Sequence, residues 1–140
     1  MTRKLHKDDI DKVIQIWLEA NTKAHNFIPE KYWSDQFNAV KEILPQSEVY
    51  VYEEDREILG FVGLNDNYIE GIFVSINSQS KGIGKQLLNY IKDIKTELSL
   101  SVYQKNERAI NFYQRENFMM KSENIDENTG EQAILMLWKR

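Results

Sequence analysis

Residues 74–88 read Val-Ser-Ile-Asn-Ser-Gln-Ser-Lys-Gly-Ile-Gly-Lys-Gln-Leu-Leu, and this stretch decides how the rest of the chain is interpreted. The apolar run that leads into it, Tyr68–Val74, predicts a strand, and the spacing of the leucines that follow predicts a helix. A glycine-containing turn before a helix directs backbone N–H groups and the positive end of the helix dipole to one place. Lys81 and Lys85 add two positive charges. The segment therefore predicts a phosphate-binding loop, with a plain strand-to-helix turn as the alternative.

Two familiar nucleotide-binding motifs do not fit this loop. The dinucleotide fingerprint requires a third glycine at the position of Leu87. The Walker A motif requires a glycine at the position of Gln79 and a hydroxyl residue at the position of Gln86. What remains is the pattern Gln79-x-x-Gly82-x-Gly84.

Periodicity on both sides of the loop predicts the remaining elements. The expected elements are a short strand ending at Leu5, helices from 10 to 20 and from 29 to 44, a hairpin over 49–64, a strand over 68–74, a helix from 83, a strand over 98–103, a helix over 106–115, and strands from 118 and over 133–138. Residues 21–28 are expected to separate the first two helices. The order β-α-α-β-β-β-α-β-α-β-β predicts an α+β domain with a mixed sheet.

Composition limits the classes of protein that this chain can belong to. With 140 residues, 41% of them hydrophobic, a single folded domain over 1–140 is expected. The absence of cysteine excludes disulfide scaffolds, thiolate metal sites and cysteine nucleophiles, and two histidines leave little material for a metal centre. The net charge of −4 argues against a nucleic-acid partner. No apolar run approaches the roughly 20 residues of a membrane span, so we expect a cytoplasmic protein without a membrane partner.

The loop pattern and a second segment together resemble the Gcn5-related N-acetyltransferase (GNAT) family. Gln79-x-x-Gly82-x-Gly84 is similar to the family's pyrophosphate-binding motif, Q/R-x-x-G-x-G/A. Residues 106–118 are similar to its N-x-x-A-x-x-F-Y…G-F segment, one strand downstream of the loop. Asn117 replaces the usual glycine, but asparagine tolerates left-handed backbone, so the turn is expected to persist.

The resemblance covers essentially the whole chain and implies the GNAT fold. That fold is a mixed, mostly antiparallel central sheet with helices on both faces, in three α/β/α layers. His-Asn-Phe-Ile at 25–28 and Val-Tyr-Gln-Lys-Asn at 102–106 are similar to small bacterial members, some of which acetylate protein lysines. Dimers are common among such proteins, so a homodimer is one expectation.

For the cofactor, the resemblance implies that acetyl-CoA lies in a V-shaped opening between the strands over 68–74 and 98–103. Its pantetheine arm would pair with the backbone of Phe73 and Val74. Asn106 matches the family asparagine that contacts this arm, and it is also placed to cap the helix that follows. The pyrophosphate would lie on the loop residues, which are Gln79, Ser80, Lys81, Gly82, Ile83, Gly84 and Lys85.

For catalysis, the resemblance implies that Tyr113 donates a proton to the departing CoA thiolate, since a phenol with a pKa near 10 is protonated at neutral pH. The alternative for Tyr113 is a core aromatic residue. Glu70 interrupts an apolar strand and is a candidate general base, with a solvent-facing strand residue as the alternative. His25 is the second candidate base. The acceptor pocket is expected to involve residues near the first interhelical connection, namely His25, Phe27, Tyr32 and Trp33.

These expectations combine into one leading function and one alternative. The leading function is an acetyl-CoA-dependent N-acetyltransferase that moves the acetyl group directly to a primary amine in a ternary complex. The amine would belong to a protein lysine or to a small molecule, and no metal would be involved. The alternative is a CoA-binding sensor module without turnover.

Overall fold

The computed structural model describes all 140 residues and has the helices and strands in the predicted order. Three short 3-10 turns lie between them. The elements are β1 (Thr2–Lys4), α1 (Ile10–Ala24), α2 (Glu30–Ile43), β2 (Glu48–Glu54), β3 (Glu57–Asn65), β4 (Tyr68–Val74), α3 (Ile83–Ile94), β5 (Glu97–Tyr103), α4 (Glu107–Arg115), β6 (Met119–Ile125) and β7 (Gln132–Lys139). None of the helices combines the length and the apolar character that crossing a bilayer requires.

All the strands form one seven-stranded sheet in the order β1-β2-β3-β4-β5-β7-β6. Every neighbouring pair is antiparallel except β4 and β5, which are parallel. Parallel neighbours need a crossover connection, and α3 supplies it. The sheet is therefore mixed and mostly antiparallel, as predicted.

The two faces of the sheet bury separate cores. Phe61 and Val62 are adjacent in β3, so they point to opposite faces. Phe61 packs in the core with α1 and α2, whereas Val62 packs in the core with α3 and α4. Both side chains are at most 2% exposed. This arrangement confirms the three-layer α/β/α architecture.

The structure corrects the predicted end of α1 and confirms the predicted turn at Asn117. The break between the first two helices begins at His25 rather than at Asn21, because α1 continues to Ala24. Asn21 is buried, and its Nδ2 donates to the Trp17 carbonyl at 2.9 Å, which lets a polar residue stay inside the helix. The left-handed turn at Asn117 is confirmed, with φ of 74°.

Candidate active site

The sheet opens into a fork between β4 and β5. The two strands pair only at Tyr68 with Ser99 and at Ile69 with Leu100. Beyond these pairs β4 is held only by β3 and β5 only by β7, on their outer sides. The predicted V-shaped opening is therefore present, and its apex lies at Ile69.

Backbone groups of β4 face this opening at alternate residues. In an antiparallel ladder, hydrogen-bonded and non-hydrogen-bonded pairs alternate. The bond from the Ser75 N–H to the Leu59 carbonyl, 2.8 Å, fixes that alternation at the end of β4. Phe73 therefore bonds to β3, whereas Ile72 and Val74 turn their N–H and C=O groups to the opening. We expected the backbone of Phe73 and Val74 to contact the cofactor arm. In the structure Val74 faces the opening and Phe73 faces β3, and the other residue on the same edge as Val74 is Ile72, because residues that share one edge of a strand are two apart.

A β-bulge lies at the apex of the fork. Gly63 of β3 is opposite Gly71 and Leu64 is opposite Ile69, so Glu70 has no partner residue. The Glu70 side chain is exposed, and its Cβ lies 3.9 Å from where a Cβ on Gly63 would be. Bulges change the direction of side chains and are frequent beside active sites. Glu70 is thus an exposed residue at the bulge, next to Ile69 where β4 and β5 separate, and this position is compatible with both roles considered for it.

The predicted phosphate-binding loop has unpaired backbone donors along its whole length. None of the N–H groups from Gln79 to Lys85 donates to a protein acceptor, and the first that does is the N–H of Gln86, to the Gly82 carbonyl at 3.0 Å. Positive φ angles at Ser80 (66°) and Gly82 (82°) turn the chain so that α3 begins directly after the loop. Consecutive free N–H groups in such a turn form a concave anion-binding surface.

The two loop glycines have different structural roles. A Cβ on Gly82 would meet nothing within 4 Å, so the requirement there is the left-handed backbone. A Cβ on Gly84 would lie 3.7 Å from Phe112 and 3.9 Å from Ile72. These are ordinary van der Waals distances, so a Cβ would fit at Gly84, whereas a larger side chain would be directed towards Phe112 and Ile72.

Two polar side chains connect the loop to its surroundings. Gln79 donates through Nε2 to the Val74 carbonyl at 3.2 Å, which ties the loop to the end of β4. Arg108 of α4 donates through Nη2 to the Ser80 hydroxyl at 2.7 Å. The structure shows that it is exposed but bonded to the loop, where it adds a third positive charge to those of Lys81 and Lys85.

Tyr113 points from α4 into the core between β5 and α3. It is 7% exposed, and its ring centroid lies 5.1 Å from that of Phe112 and 5.4 Å from that of Phe118. Burial raises the pKa of the Tyr113 phenol above its usual value near 10, so the group is protonated at physiological pH. The hydroxyls of Tyr50 and Tyr103 donate to carboxylates, whereas the Tyr113 hydroxyl makes no hydrogen bond within the protein. Both the core role and the proton-donor role are compatible with this placement.

Asn106, the residue before α4, contacts His25 in the segment between α1 and α2. Its Oδ1 accepts a hydrogen bond from the Ala109 N–H at 3.2 Å, so the helix-cap role is present. Because that bond fixes the orientation of the amide, the group directed at His25 is Nδ2, a donor, and it lies 3.3 Å from the His25 Nε2. The Nε2 of a neutral His25 must then accept, which leaves the ring proton on Nδ1.

This tautomer argues against His25 as the general base. The lone pair on Nε2 is already used by Asn106, and burial lowers the pKa of His25 to about 4. The Nδ1 of His25 and the Nε1 of Trp33 are both buried and have no hydrogen-bond partner in the protein. His25 is therefore a neutral side chain that packs and orients within the site.

We expect the lowered pKa of His25 to make the protein lose stability in mild acid. A buried base with a lowered pKa binds fewer protons in the folded state than in the unfolded state, so its stabilising effect is present at neutral pH and is lost as pH falls from about 6.5 towards about 4. Urea unfolding would measure the free energy of unfolding at pH 7 and at pH 4.5. Between these pH values the wild type should lose more of this free energy than His25→Phe does, by on the order of 2 kcal/mol. Equal losses of unfolding free energy in the two proteins would contradict the assignment of His25 as a buried, neutral side chain.

The four predicted acceptor-side residues lie together in one aromatic cluster. The ring of His25 stacks on Trp33 with centroids 5.3 Å apart and meets Phe27 at 5.8 Å, and Tyr32 meets Trp33 at 4.9 Å. Tyr103, at the end of β5, completes the cluster at 5.0 Å from His25. The sequence analysis missed Tyr103, although its position at the end of a strand that borders the opening was the available indication. No group of three or more His, Asp or Glu residues is placed to hold a metal ion.

The sequence profile of the Acetyltransferase (GNAT) family matches residues 10–118, which include the fork, the loop and α4. The chain belongs to the GNAT family. Among curated GNAT proteins, it is 34% identical to the peptidyl-lysine N-acetyltransferase YiaC of Escherichia coli (strain K12) over 140 residues, covering 99% of this chain and 96% of YiaC. The prediction of a GNAT acetyltransferase is thereby confirmed at the level of the family.

Solved structures show the same GNAT fold. The solution structure of apo-form YjaB from Escherichia coli has a TM-score of 0.87 at 20% identity and covers 99% of this chain and 96% of YjaB. The structure of yncA from Salmonella typhimurium, solved with its cofactor acetyl-CoA, has a TM-score of 0.71 at 16% identity and covers 99% and 92% of the two chains. The predicted fold class is therefore confirmed.

Proposed function

We propose that this GNAT protein transfers the acetyl group of acetyl-CoA directly to the side-chain amine of a lysine in a protein or peptide. The observation that carries the proposal is the fork between β4 and β5. The loop after β4 has a row of unpaired N–H groups, and the neighbouring helix α4 carries the buried, protonated phenol of Tyr113. Phe112 packs on Gly84 of the loop, and Tyr113 is the next residue. The lysine acceptor is supported by the name of YiaC, a peptidyl-lysine N-acetyltransferase.

The residues of the fork suit acetyl-CoA by charge and by hydrogen bonding. The free N–H groups from Gln79 to Lys85 can bind the pyrophosphate oxygens, and Lys81, Lys85 and Arg108 add positive charge nearby. The backbone edge of β4 at Ile72 and Val74 can pair with the amides of the pantetheine arm as an added strand would, although the Val74 carbonyl already accepts one hydrogen bond from Gln79. The yncA structure with acetyl-CoA supports this assignment. Asn106 is the further side-chain contact that we expect for the arm.

Direct transfer presents the protein with two proton problems. An alkylammonium with a pKa near 10.4 must lose a proton before it can attack, which costs roughly 4–5 kcal/mol at pH 7. The carbon–nitrogen bond forms as the carbon–sulfur bond breaks, and the departing sulfur needs a proton. We assign the second proton to the Tyr113 hydroxyl. We assign removal of the first to Glu70, directly or through water, and its exposed position at the bulge beside Ile69 supports this.

We expect Glu70→Gln to lower kcat by about tenfold to a hundredfold while leaving the affinity for acetyl-CoA unchanged. The amide keeps the size of the side chain but cannot accept the proton. Steady-state kinetics with a lysine peptide, together with acetyl-CoA titrations, would check this. Glu97→Gln, an exposed carboxylate at the start of β5, is the matched control and should behave as wild type. An unchanged kcat in Glu70→Gln would remove Glu70 from the mechanism.

The function itself can be tested with acetyl-CoA and a panel of amines. CoA thiol release would be measured with a lysine peptide whose N-terminus is blocked, a peptide with only a free N-terminus, a polyamine and an amino sugar, and mass spectrometry would locate the acetyl group. Acetylation of the lysine Nε supports the proposal, and turnover only with the other amines contradicts the lysine acceptor. Binding of acetyl-CoA without thiol release from any amine would favour a CoA-binding sensor module instead.

Kinetics with both substrates varied would test the ternary complex. A cysteine-bound acetyl intermediate is excluded because the sequence contains no cysteine. We therefore expect intersecting initial-velocity lines rather than the parallel lines of a ping-pong mechanism.

A further inference from the structure

The turn between β6 and β7 carries a half-buried carboxylate that has no ion-pair partner. Asp126 accepts a hydrogen bond from the Tyr103 hydroxyl at 2.7 Å through Oδ2. No Lys, Arg or His nitrogen of the protein lies within 4.0 Å of it, although Glu131 in the same turn is paired with Lys105 at 3.2 Å. The partners of this carboxylate within the protein are therefore hydrogen-bond donors, and no cation of the protein is paired with its charge.

The carboxylate of Asp126 is held in a fixed position. Its Oδ1 accepts from the Asn128 N–H at 2.9 Å, and its backbone carbonyl accepts from the Gly130 N–H at 2.7 Å. Its own N–H donates to the Glu131 carbonyl at 2.9 Å. These bonds keep the Asp126 side chain against Tyr103, so little side-chain entropy remains to be lost when a ligand binds.

Asp126 adjoins the aromatic cluster on the acceptor side of the fork. Tyr103, its hydrogen-bond partner, meets the ring of His25 at 5.0 Å and that of Phe27 at 5.7 Å. Burial and the charge of Asp126 together raise the pKa of Tyr32 on α2, so the carboxylate also influences that side of the cluster. A fixed negative charge beside aromatic rings is an arrangement that binds organic cations.

We propose that Asp126, held by Tyr103, binds a positively charged side chain that flanks the target lysine, and so makes basic peptides the preferred acceptors. This inference rests on the proposed function, since it specifies which lysines are acetylated. The reacting lysine is a less suitable occupant, because a carboxylate beside it would favour the ammonium form and oppose its deprotonation. A basic neighbour has no such conflict.

The test compares Asp126→Asn with wild type on three lysine peptides that differ only in flanking arginine, alanine or glutamate. Asparagine is the same size: its Oδ1 can accept from the Asn128 N–H, and its Nδ2 can donate to the Tyr103 hydroxyl oxygen, so the charge is removed while both contacts can form. We expect KM for the arginine-flanked peptide to rise about fivefold, with kcat unchanged and KM for the alanine-flanked peptide unchanged. Added salt should remove the wild-type preference for the arginine-flanked peptide.

Two further variants separate this role from a structural one. Asp126→Lys should shift the preference towards the glutamate-flanked peptide, which loss of folding alone would not produce. Glu127→Gln removes an exposed neighbouring charge that makes no hydrogen bond or ion pair, and it should match wild type. The inference is overturned if Asp126→Asn leaves every KM unchanged or raises all three equally. Wild-type acetylation of the alanine-flanked peptide would leave the proposed function standing in either case.

Discussion

Tyr113→Phe is expected to lower kcat by about a hundredfold while acetyl-CoA binds as tightly as it does to the wild type. The substitution removes one hydroxyl from α4 that makes no hydrogen bond within the protein, so no internal hydrogen bond is lost. The ring would still pack between Phe112 and Phe118, at centroid distances of 5.1 and 5.4 Å in the wild type. The substitution removes the group that protonates the departing thiolate. This group stabilises the transition state but not the bound ground state, so its loss lowers kcat and leaves acetyl-CoA binding unchanged.

The measurements are kcat with a lysine peptide and the Kd of acetyl-CoA, each with a matched control. Tyr90→Phe removes a hydroxyl from a half-buried tyrosine on α3 that packs on Tyr50 at 5.0 Å, and it should leave kcat unchanged. Because burial keeps the pKa of Tyr113 raised, its deprotonation should not limit the wild-type rate up to pH 10. Equal losses of kcat and acetyl-CoA affinity in Tyr113→Phe would indicate a packing role instead.

Gly82→Val is expected to weaken acetyl-CoA binding by at least about tenfold with little change in overall folding. Gly82 has φ of 82°, and a β-branched residue is strained in that region by about 1–3 kcal/mol. The side chain has space, because nothing lies within 4 Å of its Cβ position. The strain would therefore be relieved by rotating the backbone, which turns the N–H groups from Gln79 to Lys85 away from their common direction.

Gly130→Val is the matched control for this change. Gly130 has φ of 75°, also has nothing within 4 Å of its Cβ position, and lies in the turn between β6 and β7 rather than in the loop. The two variants should therefore carry similar backbone strain, and only Gly82→Val should reduce the acetyl-CoA-dependent rise in Tm. The assignment of the loop as the pyrophosphate site would be wrong if acetyl-CoA raised the Tm of both variants as it does for the wild type, or failed to raise the Tm of either.

His25 and Glu70 have different surroundings in the structure. The sequence left both as candidate bases, since each type of side chain can accept a proton. The Asn106 amide lies 3.3 Å from the Nε2 of His25, whereas Glu70 is exposed and makes no hydrogen bond. This contact, which supports our proposal of Glu70 as the base, joins residues 81 positions apart, so no local pattern contains it.

The sequence by itself determined the elements of this protein and the character of its loop. Periodicity gave the order of helices and strands because burial on one face repeats every two or every 3.6 residues. The need for left-handed backbone at Gly82 and Asn117 is a local property of the chain, so it too could be predicted. The boundary of α1 was misplaced because the buried side chain of Asn21 bonds within the helix instead of ending it.

Tertiary structure alone decided which groups face the fork and which side chains meet across it. The bulge at Glu70 and the strand register assign Ile72 rather than Phe73 to the free edge of β4, and register is a property of two strands, not of one. The contacts of Asn106 with His25 and of Asp126 with Tyr103 join distant parts of the chain. Such pairs form when the packed layers bring loops together, so no pattern along the sequence marks them.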